Sequence, residues 1–196
     1  MNVNRVAFIS FHACPLASPG EGKSGGMNVY VRQLAAALGD MDMQVDIFTR
    51  EHAGVVNRIE TIGPNVRVIH IKAGEPDANM GDLYAHLPEF LDHVNAFKEE
   101  ESLEYDVVHS HYWLSSWVGR ELSRAIGAPH VVTFHTLGLI KMQSRAGEVE
   151  PAERTLVEAE VMASVDRIIA FSPHERDAME RLYGASVAPS TFMGDS

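Results

Sequence analysis

The stretch RVAFISFHACPLASPGEGKSGGMNVYVRQLAAAL, residues 5–38, contains the features that decide the fold. It begins with an apolar, strand-like segment, Arg5–Phe11, and continues into a glycine-rich loop, 18–26. In residues 27–38 the apolar side chains recur with the spacing of one helix face, and Gly39 is expected to end that helix. A strand, a glycine-rich loop and an amphipathic helix in this order predict the opening unit of an α/β sheet.

The rest of the chain repeats this alternation. Short apolar segments rich in β-branched residues predict five more strands at 44–49, 66–71, 106–109, 130–134 and 167–171. Helical patterns lie between and after them, at 82–98, 114–126, 151–164 and 173–183. Strands that alternate with helices predict a doubly wound, mainly parallel, Rossmann-like α/β sheet.

The composition excludes several classes of protein. The chain has 196 residues, 45% hydrophobic and 22% charged, which suits a single globular domain. Its one cysteine, Cys14, excludes an internal disulfide framework. The 27 acidic residues outnumber the 16 basic ones, which argues against binding to nucleic acid or to anionic lipid. Because no apolar run is long enough for a membrane span or a signal-peptide core, we expect a cytoplasmic protein.

The glycine-rich loop favours a bound anion. Gly25 and Gly26 let the backbone approach a ligand, and the free N–H groups at the start of the helix attract a phosphate. The loop formally matches the dinucleotide fingerprint, but it lies too far beyond Phe11 for that fold. A Walker A loop would need glycine where Ala17 stands. A solvent loop without a ligand remains the alternative.

Histidines follow or end three of the predicted strands. They are His12, His109 with His111, and His135. Ligands of open α/β sheets bind beyond the carboxyl ends of the strands, so these imidazoles predict a site there, although each one alone also suits a structural role. His109 and His111 share one face of a strand, but no acidic residue or cysteine at a familiar spacing completes a metal site. We therefore predict no metal. The nucleophile elbow of α/β-hydrolases is absent as well.

Polar residues beyond the fifth predicted strand suit a polar substrate. Thr136 and Lys141 follow that strand, and Arg154 opens the next helix with a guanidinium, which is a good phosphate partner. Tyr112 offers a ring that suits either stacking on a sugar or packing in the core. Solvated surface positions would explain the two cations equally well.

Three blocks of sequence carry a resemblance to a known family. They are GGMNVYV at 25–31, HSHYWL at 109–114 and HTL at 135–137, in this order and at this spacing. Together they resemble the N-terminal domain of the family 4 retaining glycosyltransferases, which have the GT-B fold. The likeness extends over 5–183. It is greatest to the subfamily that glycosylates D-inositol 3-phosphate, with the sucrose-phosphate synthases next.

The resemblance implies roles for individual residues. In this family two Rossmann-like domains face each other, and the N-terminal one mostly holds the acceptor while the C-terminal one mostly holds the nucleotide-sugar donor. By resemblance, Gly25 and Gly26 face the donor diphosphate, and His135 is the catalytic residue beside the transferred sugar. The resemblance assigns the acceptor and its phosphate to Asn28, Tyr112, Thr136, Lys141 and Arg154.

The resemblance also implies the reaction. We expect transfer of a hexosyl group, with retention, from a nucleotide sugar such as UDP-GlcNAc or UDP-glucose to a small phosphorylated polyol or sugar, without a further cofactor. The sequence departs from the family near 81–83, where related enzymes carry a lysine for the acceptor phosphate. No lysine stands between Lys72 and Lys98. This departure weakens the specific assignment of inositol phosphate or fructose phosphate as the acceptor.

The length of the chain is a second departure from the family. We expect residues 1–184 to form the acceptor-side domain and residues 185–196 an irregular tail, with the donor domain missing. The isolated chain is therefore expected to be inactive, with a separate donor-domain polypeptide as a possible partner. A binding module for sugar phosphates and a nonfunctional fragment are the alternatives.

Overall fold

The computed structural model describes residues 3–17, 25–144, 147, 149–184 and 191–192. One sheet of eight strands has the order β3-β4-β2-β1-β5-β6-β7-β8. The strands are β1 Arg5–Ile9, β2 Gln44–Arg50, β3 Ile59–Gly63, β4 Val66–Ile71, β5 Val107–His111, β6 His130–Thr133, β7 Arg167–Ala170 and β8 Thr191–Phe192. The helices are α1 Gly26–Asp40, α2 Leu87–Glu100, α3 Trp113–Ile126, α4 Gly138–Ser144, α5 Ala152–Met162 and α6 Pro173–Tyr183, and a 3-10 helix spans Met80–His86.

Helices cover both faces of the sheet, which confirms the predicted doubly wound α/β fold. Side chains of β1 alternate between the faces, because successive residues of a strand point to opposite sides. Val6 and Phe8 join the core beneath α1, whose Val31 is fully buried there. Ala7 joins the larger core on the opposite face, to which α2, α3 and α5 contribute. All pairings are parallel except that of β3 with β4.

The two edge strands were not predicted. β3 consists mainly of half-buried and exposed residues, so its sequence lacks the apolar run by which the other strands were found. A tight turn at Pro64 and Asn65 connects β3 to its antiparallel partner β4, and Asn65 takes a positive φ of 58° there. At the other edge β8 pairs with β7, so the tail predicted to be irregular contains one short strand. The remaining tail residues, 185–190 and 193–196, lie outside the described residues.

The helices differ from their predicted limits in three places. Gly39 does not end α1 but lies in its last turn. The turn at Pro64 packs against it and leaves no room for a side chain, so this glycine serves close packing and not helix termination. The helix predicted at 82–98 is divided into the 3-10 helix and α2, which begins next to Pro88. The short α4, which carries Lys141, was not predicted. None of the described helices is both long and apolar enough to cross a bilayer.

The order of strands determines where a ligand binds. The chain runs outward from β1 through β2 to β4 and then returns to β5 on the other side of β1. Loops at the carboxyl ends of β1 and β5 therefore leave in opposite directions and open a crevice between them, as at the switch point of other open α/β sheets.

Candidate functional site

A cleft of about 440 Å³ lies at this switch point. Five of the predicted site residues line it together, although they come from the start of α1 and from the segment after β6: Gly25, Gly26, Asn28, His135 and Thr136. Parallel strands end at one edge of the sheet, and that is why residues more than a hundred positions apart in sequence meet here.

The start of α1 presents an open backbone to the cleft. Gly25 is the N-cap residue in an extended conformation, with no side-chain hydrogen bond to the first turn, and both Gly25 and Gly26 are exposed. A Cβ at Gly26 would meet no atom within 4 Å. No side chain among the described residues caps the N–H groups of the first turn, and the helix dipole favours an anion beside them. The preceding predicted loop residues, 18–24, lie outside the described residues.

Asn28 is buried and takes a structural hydrogen bond. Its Nδ2 donates to the carbonyl oxygen of Cys14 at 2.7 Å, which ties α1 to the segment following β1. Asn28 also lines the cleft, so a ligand bound there would lie beside it.

His135 takes a left-handed backbone conformation after β6, with φ 63°. Its ring lies against two aromatic side chains, Tyr30 and Phe171, at centroid distances of 5.2 and 5.6 Å. Its Nε2 lies 3.2 Å from Nδ1 of His111, so one of these two nitrogens carries the proton and the other accepts it. Burial lowers the pKa of His135 to about 4, and the ring is therefore neutral at pH 7.

A cluster of buried histidines packs next to this ring. Burial lowers the pKa of His109 to about 3 and that of His130 to about 4, and it lowers the pKa of His111 well below its usual value. His109 Nε2 is 2.9 Å from the hydroxyl of Thr133. These side chains pack as neutral core residues, which for His109 and His111 is the structural role that the sequence left open.

The other predicted acceptor residues meet beside the cleft around Arg154. This guanidinium is completely buried rather than solvated, and it lies 4.9 Å above the ring of Tyr112. It donates to the Thr136 carbonyl at 2.8 Å and to the Thr136 hydroxyl at 3.0 Å. It also donates to the hydroxyl of Tyr112 at 3.2 Å. The structure therefore brings Tyr112, Thr136 and Arg154 together.

Two carboxylates that the sequence analysis missed complete this cluster. Glu158 accepts from Arg154 Nε at 2.8 Å, and Glu150 accepts from Arg154 Nη1 at 2.8 Å and from Lys141. Tyr183 donates to Glu158. Arg154 and Glu158 stand four residues apart in α5, and this spacing was the signal that would have revealed their pairing, whereas Glu150 precedes the helix. Lys141 and Arg154 are thus both paired with carboxylates, and Arg154 is also withdrawn from solvent.

A larger cavity of about 740 Å³ adjoins the cleft and shares Asn28 with it. Arg50 lines this cavity and donates to the carbonyl oxygens of Glu75, at 2.8 Å, and Ala73, at 3.4 Å. Among the described residues no carboxylate lies within ion-pairing distance of its guanidinium, although Glu60 lines another part of the same cavity. The region of the absent lysine, 81–83, belongs to the 3-10 helix at the edge of this cavity, where Leu83 forms part of the wall.

Comparison with known proteins agrees with this geometry. The family model of the glycosyl transferase 4-like domain matches residues 25–191. The D-inositol 3-phosphate glycosyltransferase of Streptosporangium roseum is 40% identical over 190 residues, which cover 94% of this chain and 43% of that protein. That of Rhodococcus erythropolis is 42% identical over 187 residues, with 92% and 42% covered.

Among solved structures, sucrose-phosphate synthase from Thermosynechococcus elongatus superposes with a TM-score of 0.89 at 31% identity, covering 96% of this chain and 47% of that one. The chain thus spans less than half the length of the relatives it matches. The predicted family is confirmed, and so is the predicted likeness to these two kinds of enzyme. By its matching sequence and fold, this chain belongs to the glycosyl transferase 4-like domain family and has the Rossmann-like architecture of the N-terminal domain of a GT-B glycosyltransferase.

Proposed function

We propose that this chain is the acceptor-binding half of a retaining glycosyltransferase. The complete enzyme transfers a hexosyl group from a nucleotide sugar, such as UDP-GlcNAc or UDP-glucose, to a small phosphorylated polyol or sugar. The observation that carries this proposal is the meeting of the open α1 N-terminus, His135 and Thr136 around one cleft in a chain of this family. The names of its relatives, D-inositol 3-phosphate glycosyltransferase and sucrose-phosphate synthase, support a phosphorylated molecule as reactant or product.

The donor side of the reaction uses the start of α1 and His135. Retaining transfer develops negative charge on the leaving diphosphate and positive charge at the anomeric carbon. Uncapped N–H groups at Gly25 and Gly26 stabilise the leaving group, since they are oriented before the reaction begins. A neutral His135 ring adds no cation next to the anomeric centre, and its packing against Tyr30 and Phe171 holds it in place.

The acceptor side uses the cluster around Arg154. Thr136 is the exposed member, and its hydroxyl is already oriented by Arg154. A phosphate that enters beside Thr136 competes with Glu150 for Lys141 and for Nη1 of Arg154, because a doubly charged anion is the stronger acceptor. In this proposal Glu150 holds the two cations in position until the acceptor arrives.

The test is calorimetric titration of the 196-residue chain with D-inositol 3-phosphate and with unphosphorylated inositol. We expect saturable binding of the phosphate and no measurable binding of the free polyol. Thr136→Val removes the hydroxyl but keeps the shape, and we expect it to weaken binding about tenfold, the value of one hydrogen bond of about 1.4 kcal/mol to a charged group. Thr155→Val is the matched control, since that hydroxyl donates to the carbonyl oxygen of Ala152 within its own helix. Equal binding by both variants would contradict the acceptor site.

Turnover separates this proposal from a binding module. Catalysis requires reacting atoms held about 3–3.5 Å apart, and half of a cleft does not hold a donor in that way. We therefore expect no release of UDP by the 196 residues alone, and release when a separate polypeptide carrying the donor domain is added. Binding without turnover under both conditions would favour a noncatalytic sugar-phosphate-binding module. A chain that binds neither substrate would be a nonfunctional fragment.

A further inference from the structure

Three potential metal ligands converge on one wall of the larger cavity. The sulfur of Cys14, a ring nitrogen of His52 and a ring nitrogen of His70 all lie within 4.8 Å of one another. Cys14 and His70 are buried, with 5% and 3% of their surfaces exposed, whereas His52 is half-buried. This trio is separate from the histidines and cations of the proposed transferase site.

The fold brings the trio together through three neighbouring strands. Cys14 follows β1, His52 follows β2, and His70 lies near the end of β4, and these strands are adjacent in the sheet. The register of β2 on β4 places His70 beside Thr49, three residues before His52. Asn28 clamps the carbonyl of Cys14, so the cysteine is held on a fixed backbone. A site built on strand ends in this way is preorganised.

The hydrogen bonds of both imidazoles suit metal coordination. Nδ1 of His70 lies 3.0 Å from the carbonyl oxygen of Asn57, and Nδ1 of His52 lies 3.0 Å from that of Ala53. A carbonyl oxygen only accepts, so in each neutral ring Nδ1 carries the proton and Nε2 carries the lone pair. Metal-binding histidines characteristically donate their second nitrogen to a carbonyl in this manner.

The separation of Cys14 and His70 also suits zinc. Sγ of Cys14 lies 3.5 Å from Nε2 of His70. Zinc bonds of about 2.3 Å to sulfur and about 2.0 Å to nitrogen, at the tetrahedral angle, separate two such ligands by about 3.5 Å. A thiolate with two imidazoles is a donor set that zinc favours over the harder magnesium and calcium ions. Glu60 lines the same cavity and supplies nearby negative charge.

We propose that Cys14, His52 and His70 bind a zinc ion whose fourth coordination position opens into the larger cavity. On binding, the thiol of Cys14 releases its proton to solvent and the sulfur coordinates as thiolate. Water, or an anionic oxygen of a molecule in the cavity, completes the tetrahedron. Three protein ligands with one open position are the arrangement of reactive rather than purely structural zinc sites. This inference does not depend on the proposed transferase function.

The test uses cobalt as a spectroscopic substitute for zinc. Because Cys14 is the only cysteine of the chain, a thiolate-to-cobalt charge-transfer band reports on that sulfur alone. Titration of the metal-free chain should give this band at one cobalt per chain, and zinc should abolish it. Cys14→Ser should remove the band. Absence of the band from the unsubstituted chain would overturn the proposal.

His52→Ala provides an independent arm, because His52 follows β2 in a loop and its loss leaves the buried sheet intact. Loss of a supporting partner of a zinc ligand already costs 10–100-fold in affinity, so loss of the ligand itself should weaken metal binding by more than about 100-fold. His93→Ala is the matched control, since that ring contacts the backbone of Lys72 outside the trio. Cobalt affinity equal in both variants would refute the three-ligand site, provided that circular dichroism shows both to be folded.

Discussion

Replacement of Arg154 by methionine is predicted to destabilise the protein strongly. Arg154 and Glu158 are both 0% exposed, and Nε of Arg154 lies 2.8 Å from a carboxylate oxygen of Glu158. Methionine retains much of the arginine stem but leaves the Glu158 carboxylate buried without its cation. Breaking a buried pair by removal of one partner costs about 3–5 kcal/mol. With a urea m-value of about 2 kcal/mol/M, the unfolding midpoint should fall by roughly 1.5–2.5 M.

The control is a second arginine of this protein, Arg124, whose side chain is exposed to solvent. The side chain of Arg124 is 59% exposed and pairs with Glu121 at 3.4 Å. Exposed pairs contribute about 0–1 kcal/mol, so Arg124→Met should move the midpoint little. The two variants lose the same charge and gain the same side chain, and the difference between them therefore measures burial.

A double variant isolates the carboxylate as the cause. Glu158→Gln in the Arg154→Met background removes the unpaired charge but retains an amide that accepts from Tyr183 and from the N–H of Gly138. We expect it to recover most of the lost stability, since a neutral pair of similar volume replaces a buried ion pair at little cost. No recovery in the double variant would show that packing, not charge, dominates at this position.

The pH dependence gives a third readout. Burial raises the pKa of Glu158 even with its arginine present, and removal of Arg154 raises the pKa further. A carboxyl whose pKa is higher in the folded than in the unfolded chain, where it is about 4.3, binds more protons when folded. The deficit of Arg154→Met should therefore be largest above pH 7 and shrink as the pH falls towards 5. A urea-unfolding difference below about 1 kcal/mol at pH 7.5 would refute the reasoning.

Two further predictions concern the core. Burial lowers the pKa of His109 to about 3 and that of His130 to about 4. Below about pH 6.5 the unfolded chain therefore binds more protons than the folded chain. The free energy of unfolding should fall as the pH falls from there, by about 1.4 kcal/mol per pH unit for each histidine. His109→Gln should flatten this slope in urea-unfolding series, and an unchanged slope would contradict it. Gly39→Ala places a Cβ 2.4 Å from the carbonyl oxygen of Pro64 and should cost about 1–3 kcal/mol in thermal unfolding. Gly81→Ala, whose Cβ meets nothing within 4 Å, is its control; equal losses would show that the close approach is unimportant.

Much of the fold was predictable because its signals are local. Buried parallel strands need continuous apolar runs, and β2, β4 and β6 carry them at nearly their observed positions. The edge strand β3 has no such run, because one side of it faces solvent, and the sequence analysis missed it. The glycines at the start of α1 and the histidine after β6 were also identifiable, since parallel topology gathers strand ends at one edge.

The sequence alone therefore determined the layered α/β architecture, the family and the edge of the sheet at which the cleft lies. It did not determine the environment of the charged and metal-binding groups. From the sequence, Arg154 could equally have been a solvated surface residue. In the folded chain α5 directs its side chain inward, between Glu150 and Glu158. Cys14 and His70 are 56 residues apart, and only the pairing of β1, β2 and β4 brings them within 3.5 Å. Periodicity and turn signals depend on neighbours along the chain, whereas burial, ion pairing and ligand convergence depend on which strands and helices pack together.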